Sequence, residues 1–380
     1  MKIVFVTTQA LTGSTVVGRV LPFAEEIAAS HNVYVFAHEG DTQPPKGITV
    51  EYVGKDPFTR SSNGKRRLKG IALIARMIVN AWRTLLMLVH VQPDVAIIVK
   101  PLPQNVLATY VWRLFNTKRK VILDVDDFEL TANSLSSVYQ RAAIHWSERT
   151  GSRIASTIAC ATPFLQDHFR QLTTDAKQVE LIPTPLPIQV SPISNTPSRP
   201  TLLYIGSVSI TSGHRVDLLP EILEQVRRDI PEATLTIAGS GDDVASLEQL
   251  FAERRLQDAV QWTGRFSPQD VGDLLQTASV VLDPIDGSIV NRAKSSFRVA
   301  ASAASGVPVV TSNIGIRPLL LPQKLHERFF AEPGSAAAYA TRVIDLLKHP
   351  LSDEDRSNMV DHSKDHSTEK LSEAYEKLLT

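Results

Sequence analysis

Three groups of residues in this 380-residue chain could do chemistry. Asn291, Lys294, Ser295 and Ser296 form a basic, hydroxyl-rich lead into a helical pattern. Backbone N–H groups at such a helix start, beside a lysine, attract an anion, and a phosphate is the obvious candidate. An ordinary helix with a solvated, charged first turn would use the same residues. The second group lies in Val121–Glu129 (VILDVDDFE), where an apolar run ends in Asp124, Asp126 and Asp127. Open α/β sheets place their ligands at strand C-termini, so substrate contact is one use for these carboxylates. Capping the next helix is another, and holding Mg²⁺ or Mn²⁺ together with substrate phosphates is a third. The third group is Gly13-Ser14, in a polar turn that either meets a ligand or only turns the chain. His362 and His366 also stand four apart, but among Asp361, Ser363, Lys364 and Asp365 they read as a solvated linker and not as metal ligands.

The elements that must position these groups follow from periodicity. Ile3–Thr7, a glycine-containing turn, a helix ending near His31 and a strand Val33–Ala37 make a Rossmann-like unit without the full dinucleotide glycine pattern. Apolar runs at Ile48–Val53, Val95–Val99, Val121–Asp124, Thr157–Ala161 and Val179–Ile182 alternate with helical patterns, which predicts a parallel sheet covered on both faces. Ile182–Pro200 is rich in proline and serine and reads as a stiff linker. The alternation then restarts, with strands at Thr201–Ile205, Thr234–Ala238, Val260–Trp262 and Ser279–Leu282. The helix after Ser296 carries an apolar face of Phe297, Ala300, Ala301 and Ala304, stops at Gly306 and gives way to a strand Val307–Val310. A strand near Phe329, a helix to His349 and an amphipathic helix Thr368–Leu379 complete the chain. The expected organisation is α/β: two Rossmann-like, doubly wound domains at 1–185 and 201–366, a linker at 186–200, and a final helix at about 367–380 packing back on the first domain. Ligand clefts favour domain interfaces, so the two are expected to face each other across one.

Lysine plus arginine (40) equals aspartate plus glutamate (40), so no global field draws the protein to nucleic acid. The single cysteine, Cys160, sits in an apolar run and suits a reducing compartment. The N-terminus reads as a strand and not a signal peptide, and no uninterrupted apolar run reaches spanning length, so a soluble cytoplasmic protein is expected. Lys65, Arg66, Arg67 and Lys69 precede an apolar helix, Ile71–Val89, broken on one face by Arg76, Asn80 and Arg83. That pattern suits docking on an anionic membrane, and equally a sheet-packing helix after a solvated basic loop.

The second half runs through the segments LLYIGS, HRVDLLPEIL, IPEATLTIAGSGDD, VQWTGRFSPQDVGDLLQTASVVLDP, NRAKSSFR and GVPVVTS, in that order. In these it resembles the C-terminal domain of family 4 retaining glycosyltransferases, and the resemblance continues collinearly but more weakly over the first half. The resemblance implies the GT-B fold, a nucleotide-sugar donor, a glycan or lipid-linked hydroxyl acceptor, as in envelope or exopolysaccharide synthesis, and no metal or other cofactor. It places Gly13 and Ser14 in the N-domain glycine loop and Gly206, Ser207 and Arg215 in the diphosphate loop. Arg265 and Phe266 fall where the base is held, and Asn291, Lys294, Ser295 and Arg298 before the glycine-proline strand. Lys294 and Arg215 would stabilise the leaving group, while Asp126 or Asp127 would orient acceptor or sugar. Two departures stand out: Ser207 occupies the usual arginine position of the loop, and Ala301 the position of the ribose-binding glutamate. The rival the residues allow is a GT-B protein that binds nucleotide, glycan or partner without turnover.

Overall fold

The structure, a computed structural model, describes residues 1–40, 42–56, 58–61, 64–115, 117–132, 135, 137–173, 179–193, 197 and 199–380, with backbone alone at 58–61 and 64–67. The chain divides into two compact units, Met1–Pro187 with Thr368–Thr380, and Ile188–Ser367.

The first unit is built on β1 (Lys2–Val6), β2 (Asn32–His38), β3 (Ile48–Gly54), β6 (Val95–Val99), β7 (Lys120–Val125), β8 (Thr157–Cys160) and β9 (Val179–Leu181). These pair in parallel in the order β3-β2-β1-β6-β7-β8-β9, with a separate antiparallel hairpin of β4 (Phe58–Ser61) and β5 (Gly64–Arg67). Each strand expected here is present, and the reason is burial on both faces: Phe5, Val6, Ile97, Ile98, Ile122 and Leu123 are all fully enclosed. Helices α1 (Leu21–Ile27), α2 (Gly70–Val91), α3 (Pro103–Leu114), α4 (Glu129–Ala132), α5 (Val138–Ile154) and α6 (Pro163–Leu172) cover the sheet. A wide π-type turn at Val16–Val20 precedes α1 and buries Arg19, which periodicity alone did not announce. Reversal of strand order between β1 and β6 opens a crevice at the C-terminal sheet edge.

The second unit has β10 (Thr201–Ile205), β11 (Thr234–Ala238), β12 (Val260–Gly264), β13 (Val280–Leu282) and β14 (Val309–Val310), parallel in the order β12-β11-β10-β13-β14. Around them lie α7 (Leu219–Asp229), α8 (Val244–Glu253), α9 (Asp270–Gln276), α10 (Ile289–Ala293), α11 (Phe297–Ser305), α12 (His326–Phe329), α13 (Ala336–Lys348) and α14 (Asp353–Lys364). Near Phe329 there is a single bridge, Thr311 to Phe330, in place of a full strand. His362 and His366 are not in an open linker: the first lies in the last turn of α14, and both rings contact the Leu319 carbonyl, at 3.0 and 2.7 Å.

The chain then returns to the first unit as α15 (Thr368–Glu376), burying Leu371, Tyr375 and Leu379 in that unit's core. The Tyr375 ring stacks on Phe23 with centroids 4.4 Å apart, and its hydroxyl donates to Asp124 at 2.7 Å.

The fold revises the expectation for α2. Asn80, expected on a solvated polar face, is buried and donates to the Lys55 carbonyl at 2.9 Å. Leu73, Ala81, Leu88 and Val91 are also buried, while Ile71, Ile74, Ile78, Trp82, Leu86 and Val89 face outward. Among the described residues, this is the helix long and apolar enough, by length and composition, to cross a membrane. The basic stretch before it forms the β4–β5 hairpin and not a loop; the side chains of Lys65, Arg66 and Arg67 lie outside the described residues. Lys69 is exposed immediately before α2.

Candidate functional site

In the second unit the residues singled out from sequence gather at the C-terminal ends of the strands. Gly206 follows β10, Arg265 follows β12, and the Asp283–Arg298 stretch follows β13. Gly206 has φ +138, and a Cβ on Gly239 would come 1.8 Å from the Gly206 carbonyl oxygen. Only glycine at these positions lets the loops after β10 and β11 touch backbone to backbone. Arg265, exposed, donates to Ser240 in the second of those loops at 3.3 Å. Phe266 beside it is half-buried, and Ser207 is exposed with its carbonyl accepting from the Tyr204 hydroxyl.

Side chains stitch the Gly206–Arg215 loop to the stretch around α10. Asn291 is buried and donates to the Gly213 carbonyl at 2.9 Å and to Asp286 at 2.8 Å. The Lys294 ammonium donates to the Ser212 carbonyl at 2.8 Å, and Ser295 beside it is half-buried. Arg215 forms a two-point pair with Asp217, at 2.9 and 2.7 Å, and lies 3.8 Å from Asp286. Its positive charge is therefore largely matched from within the unit.

Arg298 corrects the expected orientation of α11. Only 5% of it is exposed; it pairs with Asp283 at 2.9 Å and donates to the Ile205 carbonyl at 2.8 Å and to His214 Nδ1 at 2.8 Å. Ser296 caps the helix by accepting from the Val299 amide, and Gly306 ends it with φ +71. The buried face is Arg298, Val299, Ala301, Ser302 and Ser305, whereas Phe297, Ala300 and Ala304 are only half-buried. Asp283 is the cause. Its carboxylate, 0% exposed, receives Arg298, Arg317 at 2.6 Å and Thr311 at 2.8 Å, which turns the arginine side of α11 inward. Burial alone would raise the Asp283 pKa, but Arg317 and Arg298 outweigh it and hold the carboxyl far below the usual range. The same environment, burial first and Arg298 second, lowers His214 to about 3, so its ring is neutral and accepts.

In the first unit, Gly13 and Ser14 line a groove of about 1410 Å³ at the end of β1. Thr15, next in the chain, donates to Asp126 at 2.8 Å, which ties this loop to the carboxylates after β7. Asp126 and Asp127 surround a residue the sequence reading missed, Lys100, at 3.3 Å each, with Glu129 as a third carboxylate at 3.3 Å. Lys100 follows β6, has φ +65 and is buried. Burial opposes its charge, but Asp126, Glu129 and Asp127 outweigh it and hold its pKa well above the ordinary value. An ammonium thus stands where the metal reading would put a cation. A lysine immediately after the buried run Val95–Val99 was the available signal, since that is a strand C-terminus. Asp124 does not join the cluster; it is buried with Arg19 at 2.7 Å and Tyr375. Cys160 is buried, which pushes its thiol up and leaves it inert.

Two parallel-sheet Rossmann-like units, with the chain returning to the first, define the GT-B class. Residues 199–349, within the second unit, match the family model described as glycosyl transferases group 1. Sucrose-phosphate synthase from Thermosynechococcus elongatus superposes over 100% of this chain and 98% of its own, with a TM-score of 0.72 and 16% identity. Anabaena HepE, in complex with UDP and glucose, does so over 100% and 99%, with a TM-score of 0.72 and 15% identity. These likenesses show the shared fold. In sequence, the gpi3 subunit of phosphatidylinositol N-acetylglucosaminyltransferase from Schizosaccharomyces pombe is 27% identical over 184 residues. That match spans 47% of this chain and 38% of the relative's own length.

Proposed function

We propose that this protein transfers a sugar from a nucleotide-sugar donor to a hydroxyl acceptor with retention of anomeric configuration. The observation that carries the reading is the glycosyl transferases group 1 domain at residues 199–349. Support comes from the HepE neighbour, whose structure contains UDP and glucose. The donor belongs on the second unit, where the loops after β10, β11 and β12 and the start of α11 converge. The acceptor, lipid-linked or a polysaccharide, belongs on the first. In the transfer the acceptor O–H oxygen bonds to the anomeric carbon, the bond from that carbon to the donor phosphate breaks, and the hydroxyl proton passes to the departing phosphate. Lys294 and the first amides of α11 offset the charge on that leaving group, with Arg215 beside them, so fixed groups supply what a metal ion would. Asp126 and Asp127, held by Lys100, orient the acceptor. The setting this reading implies is cytoplasmic, with the basic hairpin and α2 against an anionic membrane surface.

A second reading, a GT-B protein that binds nucleotide without turnover, is favoured by one observation. Ala301 stands fully buried where the resemblance puts a ribose-binding glutamate. A thermal-shift panel of UDP, GDP, ADP and their common sugars, followed by product analysis, separates the two. Stabilisation with sugar release supports the transferase, and stabilisation without any release supports the binder. If Lys294→Ala leaves the shift unchanged, the assigned phosphate site is wrong.

A further inference from the structure

We propose that His214 binds the donor diphosphate: its Nε2–H donates to a phosphate oxygen, while Asn291, Lys294 and Arg298 hold the loop that presents the ring. The assignment rests on the nucleotide-sugar reading above. It departs from what the resemblance implies, which gives the donor contact to Arg298 and none to His214.

Three tethers reach three consecutive loop residues. Lys294 donates to the Ser212 carbonyl at 2.8 Å, Asn291 to the Gly213 carbonyl at 2.9 Å, and Arg298 to His214 Nδ1 at 2.8 Å. Asn291, Lys294 and Arg298 stand three and four residues apart, so a single stretch from α10 into the first turn of α11 grips the loop at successive points. Gly213 makes the close fit possible: its φ is +86, and a Cβ there would come 2.8 Å from Val290 Cγ1 and 3.2 Å from Asn291 Oδ1.

Arg298 decides which ring nitrogen can act on a ligand. Its guanidinium is only 5% exposed, engaged by Asp283, the Ile205 carbonyl and the imidazole, and packed 4.5 Å from the centroid of the Tyr204 ring. It is enclosed, and it works through the histidine. A guanidinium only donates, so His214 Nδ1 accepts and the ring proton sits on Nε2. Burial, and after it Arg298, lower the His214 pKa to about 3 and keep the ring in that neutral form. The ring is half-buried, and its Nε2 has no hydrogen-bond partner among the described residues. A fixed, open N–H donor is the result.

The surrounding charge selects what that donor meets. Arg298, Lys294 and Arg317 act on the ring against one carboxylate, Asp283, which both arginines already match. Arg215, next in the chain, is paired with Asp217. An N–H aimed out of a net positive field takes an anionic oxygen, and on the donor reading that oxygen belongs to the diphosphate. The imidazole supplies direction there, and Lys294 supplies charge.

The test titrates the full chain calorimetrically with UDP, GDP and ADP and with uridine, guanosine and adenosine. His214→Asn keeps an oxygen for Arg298 near the place of Nδ1 but is too short to reach the place of Nε2. It should weaken diphosphate binding about ten- to a hundredfold, with nucleoside binding and melting temperature unchanged. His214→Gln, whose amide nitrogen reaches the place of Nε2, should recover most of that loss. Nitrogen-15 spectra of the histidine rings, with His214 assigned from its variants, should show the proton on Nε2 in the free protein and a change in that resonance when diphosphate is added. A proton on Nδ1 overturns the assignment whatever binds. So does a loss in His214→Asn that falls equally on nucleosides and is not recovered by His214→Gln, which would make the histidine structural only. Wild-type protein that binds none of the three diphosphates sinks the donor reading and this assignment together, whereas wild-type binding that His214→Asn leaves unchanged sinks the assignment alone.

Discussion

Asp283 is a carboxylate with no access to water, made tolerable by two guanidiniums, a threonine hydroxyl and the Ser296 hydroxyl at 3.3 Å. Neutralising it leaves Arg298 and Arg317 buried without their counter-charge. Asp283→Asn is therefore expected to cost about 3–5 kcal/mol of stability in the second unit, read by denaturant unfolding, and a loss below about 1 kcal/mol would contradict the burial argument. His38 gives a pH dependence. Burial lowers it from 6.5 to about 4. The unfolded chain then takes up its proton first, so stability present above pH 6.5 is lost as pH falls towards 4. Full protonation would remove on the order of 3 kcal/mol. Melting temperatures measured between pH 7 and pH 4.5 should fall, and His38→Gln should flatten part of that slope.

At the scale of elements, α15 is held by Tyr375 as much as by its leucines. Tyr375→Phe keeps the stack on Phe23 and removes the donor to Asp124, for an expected loss of about 1–3 kcal/mol, while Tyr375→Ala adds a cavity and should cost roughly 3–5 kcal/mol. Equal losses in the two would mean that the hydrogen bond carries all of the effect. Elements were also what the sequence told best. Strands enclosed on both faces are continuous apolar runs, so β1, β6 and β7 could be read directly from Ile3–Thr7, Val95–Val99 and Val121–Asp124. Helix faces were harder. On α11 the small residues run all the way round, and the side turned inward was decided by Asp283, some fifteen residues earlier and invisible to periodicity. On α2 two apolar stripes share one helix, so the polar residues between them could not say which stripe met the core. The candidate site suffered the same limit. Gly206, Asn291 and Lys294 were legible as a cluster at strand ends, but Lys100 amid its three carboxylates and Arg19 on Asp124 depend on long-range pairing.

At the scale of the molecule, the first unit takes its last thirteen residues from the far end of the chain. Removing 368–380 should raise hydrogen exchange in β1 and β2, which lie in the core that Tyr375 closes, and leave β10–β14 protected as before. Exchange that rises equally in both sheets would contradict a division into two units. The same return path sets an order of assembly on the ribosome. Residues 188–367 must all be made before α15 exists, an interval on the order of 10–40 s at roughly 5–20 residues per second. Throughout it Phe23 has no ring to stack on and the Asp124–Arg19 pair has no hydroxyl, so the part of the protein synthesised first is the part that finishes folding last.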